Sequence, residues 1–301
     1  MRKAFFQLHI AVFLAGFTGI LGRLISLNAG MIVWYRLFLT TATMAVLFGL
    51  MNKLRKIPLR DILKIGAVGF VAAMHWITFY GAIKYSNVSI AFVCFSSVSF
   101  FTAIFEPLIL RKSINWTEML LGLMTIAGIY IIFRFDSQYK TAIIIGLVSA
   151  VLGALFPIYN RQFLKRVNVE TMLTWQQLGG LITLSAVLPF YLQRFPVKSF
   201  VPGVEDFLWL LVLSWFCSVI AFQFSSNALK RLSAFTVNLT YNLEPVYGIL
   251  LAFVVYHENK LLSKWFYAGF AVIATALVIH IFLLVQREKR LLAESVMENT
   301  A

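Results

Sequence analysis

Residues 141–160 read TAIIIGLVSAVLGALFPIYN and contain no Asp, Glu, Lys, Arg or His. As a helix, this run rises about 30 Å, the thickness of the hydrocarbon core of a bilayer. Lipid offers the backbone no hydrogen-bond partner, so an apolar run of this length crosses a membrane as a helix. The other apolar runs of similar length are residues 4–25, 30–51, 63–83, 88–110, 116–134, 170–193, 207–229, 233–256 and 263–285. The sequence therefore predicts an all-α integral membrane protein with ten transmembrane helices.

The composition indicates the same class of protein. Hydrophobic residues make up 60% of the 301 residues, charged residues make up 13%, and the mean hydropathy is +0.85. Soluble domains carry roughly 25% charged residues. Cys94 and Cys217 lie inside apolar runs, so we expect them to pack in the bundle rather than form a disulfide. The first run follows Arg2 and Lys3, and we expect it to be retained as the first helix rather than cleaved as a signal peptide.

The net charge of +14 indicates orientation in the membrane. In a soluble protein this excess would point to nucleic acid, but here the basic residues fall mostly between apolar runs. They therefore indicate contact with anionic lipid, and we expect no nucleic-acid partner. With the N-terminus in the cytoplasm, the inner loops carry roughly twice as many Lys and Arg residues as the outer loops, which favours two cytoplasmic termini.

The two halves of the chain resemble each other. Residues 82–84 match residues 228–230, and residues 34–37 match residues 175–178, in the same order along the chain. Five helices per half is an odd number, so the second copy must enter the membrane upside down. Such inverted repeats are common in secondary transporters, because the two copies provide near-equivalent states that open to opposite sides.

This organisation divides the chain into three parts. Residues 1–138 form the first five-helix repeat, residues 139–286 form the inverted second repeat, and residues 287–301 form a cytoplasmic polar tail. The longest connections are residues 52–62 and 194–206, and neither is long enough to separate independent domains.

Four features, in this order, resemble the EamA-type branch of the drug/metabolite transporter superfamily. They are Arg36 early in the second helix, YGAIKYS at residues 80–86, Glu-Pro at residues 244–245 and Tyr-His-Glu at residues 256–258. The resemblance covers about residues 5–285, and it depends on the order and spacing of the motifs rather than on any one of them.

The resemblance implies ten helices around a central cavity and transport of amino acids or other small metabolites, often outward. We accordingly expect a small-molecule substrate, a bacterial inner membrane, and a monomer or weak homodimer. The sequence departs from the family at one point. The family often repeats an acidic residue at the end of the fourth helix, whereas Lys112 stands at the position equivalent to Glu258.

Glu244 is the foremost candidate for a functional side chain. It lies near the middle of the ninth run, and Pro245 weakens the helix there because proline cannot donate a backbone hydrogen bond. Asn238, Tyr241 and Asn242 add a polar face to the same helix. Glu244 is a candidate to bind a substrate amine or to carry a coupling proton, and the alternative is a structural hydrogen bond to a neighbouring helix.

Further candidates for substrate contact lie on other helices. Arg36 is a candidate to attract a carboxylate, or else to form a structural interhelical pair. His75 is a candidate proton relay, or else a packed histidine. The other candidates are aromatic or neutral polar residues: Trp76, Tyr80, Ser96, Trp175, Gln176 and Gln223. Trp175 also suits an aromatic belt at the membrane interface, and Ser96 also suits a sliding surface between the halves.

The missing motifs narrow the mechanism. The sequence has no phosphate-binding Gly-x-x-x-x-Gly-Lys-Ser/Thr loop and no cluster of Cys and His, so we expect no ATP motor, cofactor or metal. We therefore predict a secondary transporter rather than an enzyme, with a cavity lined by helices 1, 3, 4, 6, 8 and 9. A passive channel and a membrane-embedded enzyme remain as alternatives. An enzyme would need several acids or histidines near one face, and His257-Glu258 is the only such pair, without evident partners in the sequence.

Overall fold

The computed structural model describes residues 2–197, 199–229 and 240–300, and its regular elements within these ranges are helices. The α-helices are α1 (Arg2–Leu24), α2 (Ala29–Leu50), α3 (Leu59–Tyr85), α4 (Val88–Phe95), α5 (Val98–Leu110), α6 (Trp116–Phe135), α7 (Lys140–Phe163), α8 (Val169–Arg194), α9 (Val204–Ser214), α10 (Ala221–Leu229), α11 (Glu244–Tyr256) and α12 (Lys264–Thr300). A π-helix, Trp215–Ile220, joins α9 to α10. Single 3₁₀ turns occupy Ser137–Tyr139 and Glu258–Lys260.

Within the described residues, eight helical segments are long and apolar enough to cross a membrane. They are Lys3–Leu24, Ala29–Leu50, Leu59–Tyr85, Val88–Leu110, Trp116–Phe135, Ser137–Phe163, Val204–Ser225 and Lys264–Leu283. This confirms the prediction of an all-helical membrane protein. The seventh predicted span corresponds to α8, which is long enough but more polar. The ninth predicted span, residues 233–256, begins with residues 233–239, which lie outside the described ranges. The helix of the last span continues to Thr300, into the predicted polar tail.

The fourth span is interrupted near its middle, where the sequence predicts a continuous run. A turn at Ser96 and Ser97 separates α4 from α5. The Ser96 hydroxyl donates to the Phe92 carbonyl at 3.0 Å, and the Ser97 hydroxyl donates to the Cys94 carbonyl at 2.6 Å. Serine side chains compete in this way for backbone acceptors and so favour a break or bend in the helix.

The ninth span is interrupted at the matching position. A turn at Asn242 and Leu243 precedes Glu244, the first residue of α11. Pro245 suits this site, because the first turn of a helix needs no donor from proline. Irregular backbone at membrane depth is tolerated only where protein buries it or where it lines a cavity. The two interruptions therefore mark the interior of the bundle.

Close helix packing surrounds these breaks. Helix α3 packs on α7 and α8, α1 packs on α10 and α11, and α4 packs on α7 and α11. Glycines allow the closest approaches, as is typical of membrane helices. A Cβ atom built on Gly69 of α3 would lie 1.9 Å from the carbonyl oxygen of Gln176 on α8. A Cβ atom on Gly248 of α11 would lie 2.1 Å from the ring of Phe92 on α4.

The connections between helices lie at two faces of the bundle. The first, here called the basic face, carries residues 51–58, 111–115 and 164–168. The second, here called the opposite face, carries residues 25–28, 86–87, 136–139, 195–203 and 257–263. Hydrogen bonds between different connections show which of them lie at the same face. Asn168 donates to the Lys53 carbonyl at 2.8 Å on the basic face, and Ser263 donates to Asp136 at 2.6 Å on the opposite face.

We expect the substitution Gly69→Ala to destabilise the bundle by about 1–3 kcal/mol, because the added methyl group meets backbone that cannot move without separating α3 from α8. Gly49→Ala is the matched control, since a Cβ atom there meets nothing within 4 Å. Thermal unfolding in detergent should show a lower Tm for Gly69→Ala and an unchanged or higher Tm for Gly49→Ala. Equal Tm values for the two variants would contradict the packing described for α3 and α8.

Candidate functional site

Arg36 lies inside the bundle and is 3% exposed. Its Nε donates to the hydroxyl of Ser218 at 2.9 Å, and one Nη donates to the hydroxyl of Tyr80 at 2.9 Å. The other Nη lies 3.4 Å from the carbonyl oxygen of Cys217. The guanidinium also stacks over the ring of Trp76, 4.2 Å from its centroid. Arg36 therefore connects α2, α3 and the π-helix, which supports the structural alternative for this residue.

Two of these acceptors, the Cys217 carbonyl and the Ser218 hydroxyl, lie in the π-helix. Its wider turn disturbs the regular backbone pattern, and π-bulges often occur at functional sites for this reason. The Cys217 carbonyl and the Ser218 hydroxyl both face Arg36 from this segment. Sequence reasoning missed both partners, because an apolar run that contains serine and cysteine gives no sign of a π-turn.

His75 is buried between α3 and α7. Its Nδ1 lies 2.9 Å from both the carbonyl oxygen and the hydroxyl of Ser149, and that hydroxyl also lies 3.0 Å from the His75 carbonyl. Aromatic rings surround the imidazole with centroids 5.2–6.5 Å away: Trp76, Phe79, Phe95 and Phe156. These contacts place an aromatic wall beside the break in the fourth span, where Phe95 is the last residue of α4.

Glu244 begins α11 and is half-buried. Helix α1 packs against it at Gly16, where a Cβ atom would lie 3.1 Å from the Glu244 carbonyl oxygen and 3.0 Å from the Gly248 nitrogen. The Arg36 guanidinium is within electrostatic range of the carboxyl group. A carboxylate is also favoured at a helix N-terminus by the helix dipole. The arrangement therefore holds the backbone of Glu244 against α1, at the start of a helix within the ninth span.

Two other residues predicted for the ninth helix lie beside Glu244. Tyr241 is half-buried, packs against apolar residues of α1, and has its hydroxyl within hydrogen-bonding reach of Ser225 on α10. Asn242 is half-buried in the turn itself. Asn238 lies outside the described residues. The structure therefore brings Tyr241 and Asn242 together with Glu244 at the second interruption.

The remaining candidates are more dispersed. Ser96 lies in the turn of the fourth span, and Gln223 donates at 3.4 Å to an amide one turn later on α10. Gln176 is buried and accepts a hydrogen bond from Asn160 of α7 at 3.1 Å. Trp175 packs in a separate apolar cluster with residues of α3 and α7 near the basic face. Trp175 therefore lies apart from the contacts that surround Arg36, His75 and Glu244.

Two acidic residues have partners that the sequence did not predict. Glu258 is not isolated: it is buried and forms an ion pair with Arg23. Glu106 pairs with Lys112 at 2.9 Å and with Arg161 at 3.3 Å. Arg111 ends α5 in the left-handed conformation, with φ of 52°, which turns the chain away from the helix axis.

The described residues also bear on a metal site and on a surface groove. Among the described residues, no group of three or more His, Cys, Asp and Glu side chains is placed to hold a metal ion. An apolar groove of about 400 Å³ lies on α8 and the following connection, and none of the candidates lines it. Its lining residues are Ser185, Leu188, Pro189, Leu192, Gln193 and Phe200.

Long apolar helices, two interrupted spans and polar side chains held at mid-depth define a multi-span membrane protein of the transporter class. The EamA-like transporter family matches the chain over residues 2–134 and 140–280. The chain therefore belongs to the EamA-like transporter family, which confirms the resemblance found in the sequence.

Known relatives agree with this membership. An uncharacterized transporter of Haemophilus influenzae is 22% identical over 244 residues, covering 77% of this chain and 76% of the relative. The uncharacterized transporter YcxC of Bacillus subtilis is 22% identical over 248 residues, with the same coverage. A solved crystal structure has a similar fold, with a TM-score of 0.63 at 16% identity over 96% of this chain and 99% of that chain.

We expect Tyr80→Phe to lower the stability of the folded protein by about 1–3 kcal/mol, because it leaves a buried guanidinium N–H without its acceptor. Tyr85→Phe is the matched control on the same helix, since Tyr85 is exposed. Thermal unfolding of both variants in detergent measures the difference. An unchanged Tm for Tyr80→Phe would show that the hydrogen bond between Arg36 and Tyr80 does not hold α2 and α3 together.

Proposed function

We propose that this protein is a secondary transporter that moves a small metabolite, an amino acid or a related compound, across the membrane by alternating access. Family membership and the transporter relatives support the general function. The EamA resemblance favours outward transport. Glu244 carries the specific proposal: it is a half-buried carboxyl at the start of a helix that begins in the middle of a span.

We propose that ten helices form two inverted repeats, residues 1–138 and 139–286, followed by the tail at residues 287–301. The helix contacts support this arrangement, because equivalent helices of the two halves make equivalent contacts. Helix α3 of the first half packs on α7 and α8, and the equivalent span α9–α10 of the second half packs on α1 and α2. The interrupted spans also end alike, since Arg111 and His257 both adopt the left-handed conformation, with φ of 52° and 53°.

We place the substrate beside the two interruptions. Glu244 provides a negative group for a substrate amine, or a carrier for a coupling proton, and Tyr241 and Asn242 flank it. Ser96 lies at the matching interruption of the fourth span. Interrupted helices in other transporters expose backbone groups that bind polar parts of a substrate. The aromatic wall around His75 suits an apolar portion of the same molecule.

The other candidates surround this central region. We propose that Arg36, Trp76 and Tyr80 together position α3, and that the Arg36 guanidinium provides positive charge near Glu244. Gln176, Gln223 and Asn238 are further candidates for neutral hydrogen bonds to the substrate, and Trp175 is a candidate at the edge of the region.

We propose that the protein lies in a bacterial plasma membrane with both termini in the cytoplasm. The bacterial relatives support this location. The basic connections support the orientation, because Lys and Arg accumulate on the cytoplasmic side of membrane proteins. The basic face then meets the cytoplasm, and the opposite face meets the exterior.

The substrate can be identified by thermal stabilisation. A metabolite that binds only the folded protein stabilises it by about 2.7 kcal/mol at a concentration of 100 times its Kd. Purified protein in detergent is screened against pooled amino acids and related metabolites for a rise in Tm. A hit is then tested for counterflow in liposomes: a transporter accumulates labelled substrate against an unlabelled internal pool.

We expect Glu244→Gln to reduce flux driven by a pH gradient by about tenfold or more, because the amide cannot exchange a proton or pair with an amine as a carboxylate does. The matched control is Glu205→Gln, which removes an exposed carboxylate at the opposite face. Unaltered pH-dependent flux in Glu244→Gln would rule out the coupling role of this residue. Substrate flux without counterflow accumulation would instead favour a passive channel.

A further inference from the structure

Glu258 is fully buried at the opposite face, with 0% of its surface exposed. Its carboxylate accepts hydrogen bonds from the backbone nitrogens of Val88 at 3.0 Å and Ser89 at 2.8 Å, and from the Ser89 hydroxyl at 2.5 Å. Arg23 completes the group by forming an ion pair with the same carboxylate. One side chain therefore connects the end of the ninth span to the start of the fourth and to the end of the first.

The start of α4 is well suited to hold this carboxylate. The first N–H groups of a helix have no acceptor within the helix, and the helix dipole favours negative charge there. The Asn87 side chain caps the nitrogen of Ile90 at 2.9 Å, and Glu258 takes the two nitrogens before it. Hydrogen bonds to a charged acceptor are roughly twice as strong as neutral ones.

A second set of contacts reinforces the connection to the first span. The hydroxyl of Tyr256 donates to the Ile20 carbonyl at 2.9 Å, and the Arg23 guanidinium lies 4.4 Å from the centre of the Tyr256 ring. Here "the Glu258 cluster" denotes Glu258, Arg23, Ser89 and Tyr256. It closes the opposite face where the first, fourth and ninth spans meet.

The equivalent position at the basic face has different chemistry. Lys112 stands there in place of an acid, and it pairs with Glu106, which also pairs with Arg161. These side chains are much more exposed: 53% for Lys112, 54% for Arg161 and 28% for Glu106. Exposed ion pairs contribute little to stability, because water screens them. The exposed pairs of Glu106 with Lys112 and Arg161 are therefore weaker contacts than the buried Glu258 cluster at the equivalent position.

The two parts of the fourth span also differ in burial, and the part nearer the opposite face is the more buried. Helix α4, which leads from the opposite face to the interruption, has seven of its eight residues buried. Helix α5, which leads from the interruption to the basic face, has only Ala103 fully buried among thirteen residues. Burial within the fourth span is therefore greater on the side of the break that leads to the Glu258 cluster.

We propose that the Glu258 cluster is a latch that keeps the opposite face closed, so that the resting protein opens at the basic face. The inference rests on the alternating access proposed above and adds a preferred state to it. Opening of the opposite face requires Glu258 to release the start of α4 and Arg23. In the first repeat Lys112 stands at the equivalent position, and its exposed pair with Glu106 is a weaker contact than the Glu258 cluster, so the two access states differ in stability.

Thiol labelling tests the latch without any substrate. Cys94 and Cys217 are replaced by Ala, and one reporter cysteine is introduced at a time, Ile20→Cys near the opposite face or Thr102→Cys on α5. A soluble maleimide reaches both faces of the protein in lipid nanodiscs. In the Glu258→Gln protein we expect labelling at position 20 to become about tenfold faster, because the loss of a charge-assisted interaction shifts a two-state equilibrium by at least that factor. Labelling at position 102 should become slower.

Two further variants keep the test decisive. Ser89→Ala removes one donor and keeps the carboxylate, so it should change both rates in the same directions by a smaller factor. Glu205→Gln removes an exposed acid at the same face and should leave both rates unchanged. Unchanged rates in both Glu258→Gln and Ser89→Ala would overturn the latch, and so would a rise at both reporters, which indicates general loosening. A third outcome separates the two proposals. If labelling becomes faster at position 20 and slower at position 102, but liposomes show no counterflow, the latch is supported and only the transport proposal is refuted.

Discussion

Lipid cannot form hydrogen bonds with a polypeptide backbone, and each irregular segment of this protein must therefore be sheltered by other helices. The turn at Ser96 and Ser97 meets this requirement through local hydroxyl bonds and through the packing of α4 on α7 and α11. The turn before Glu244 meets it where Gly16 lets α1 come within contact distance. The constraint explains why the interruptions lie in the interior of the bundle.

The same constraint governs the buried charges. Arg36 is held by the Cys217 carbonyl and the Ser218 hydroxyl of the π-helix, and Glu258 is held by donors that the start of α4 leaves free. The first N–H groups of any helix have no acceptor within it, so the start of α4 can bind a buried carboxylate. Buried charges therefore lie beside polar groups of other helices, because lipid offers neither of them a partner. These places are also where helices from the two halves meet, and the proposed alternating access would change their contacts.

Much of the fold followed from local sequence. Long apolar runs indicated membrane helices, and the order of four short motifs indicated the family, which the family match confirmed. The candidate site was only partly accessible in this way. Glu244 was conspicuous because an acid within an apolar run is unfavourable in lipid. Ser149 and Ser218 were not, because a serine in a membrane helix is common and its partner lies far away in the sequence.

The sequence by itself determined that this chain is a helical membrane protein of the EamA-like transporter family with an acidic residue inside its ninth apolar run. Hydropathy is a property of a short stretch of sequence, and lipid favours or disfavours each stretch separately. Membrane helices can therefore be predicted without knowledge of contacts between distant residues. Only the tertiary structure decided that Arg36 meets Ser218, that Glu258 caps α4, and that the fourth span breaks where it does. Those features depend on which face each helix turns toward its neighbours, and packing between distant parts of the chain sets that rotation.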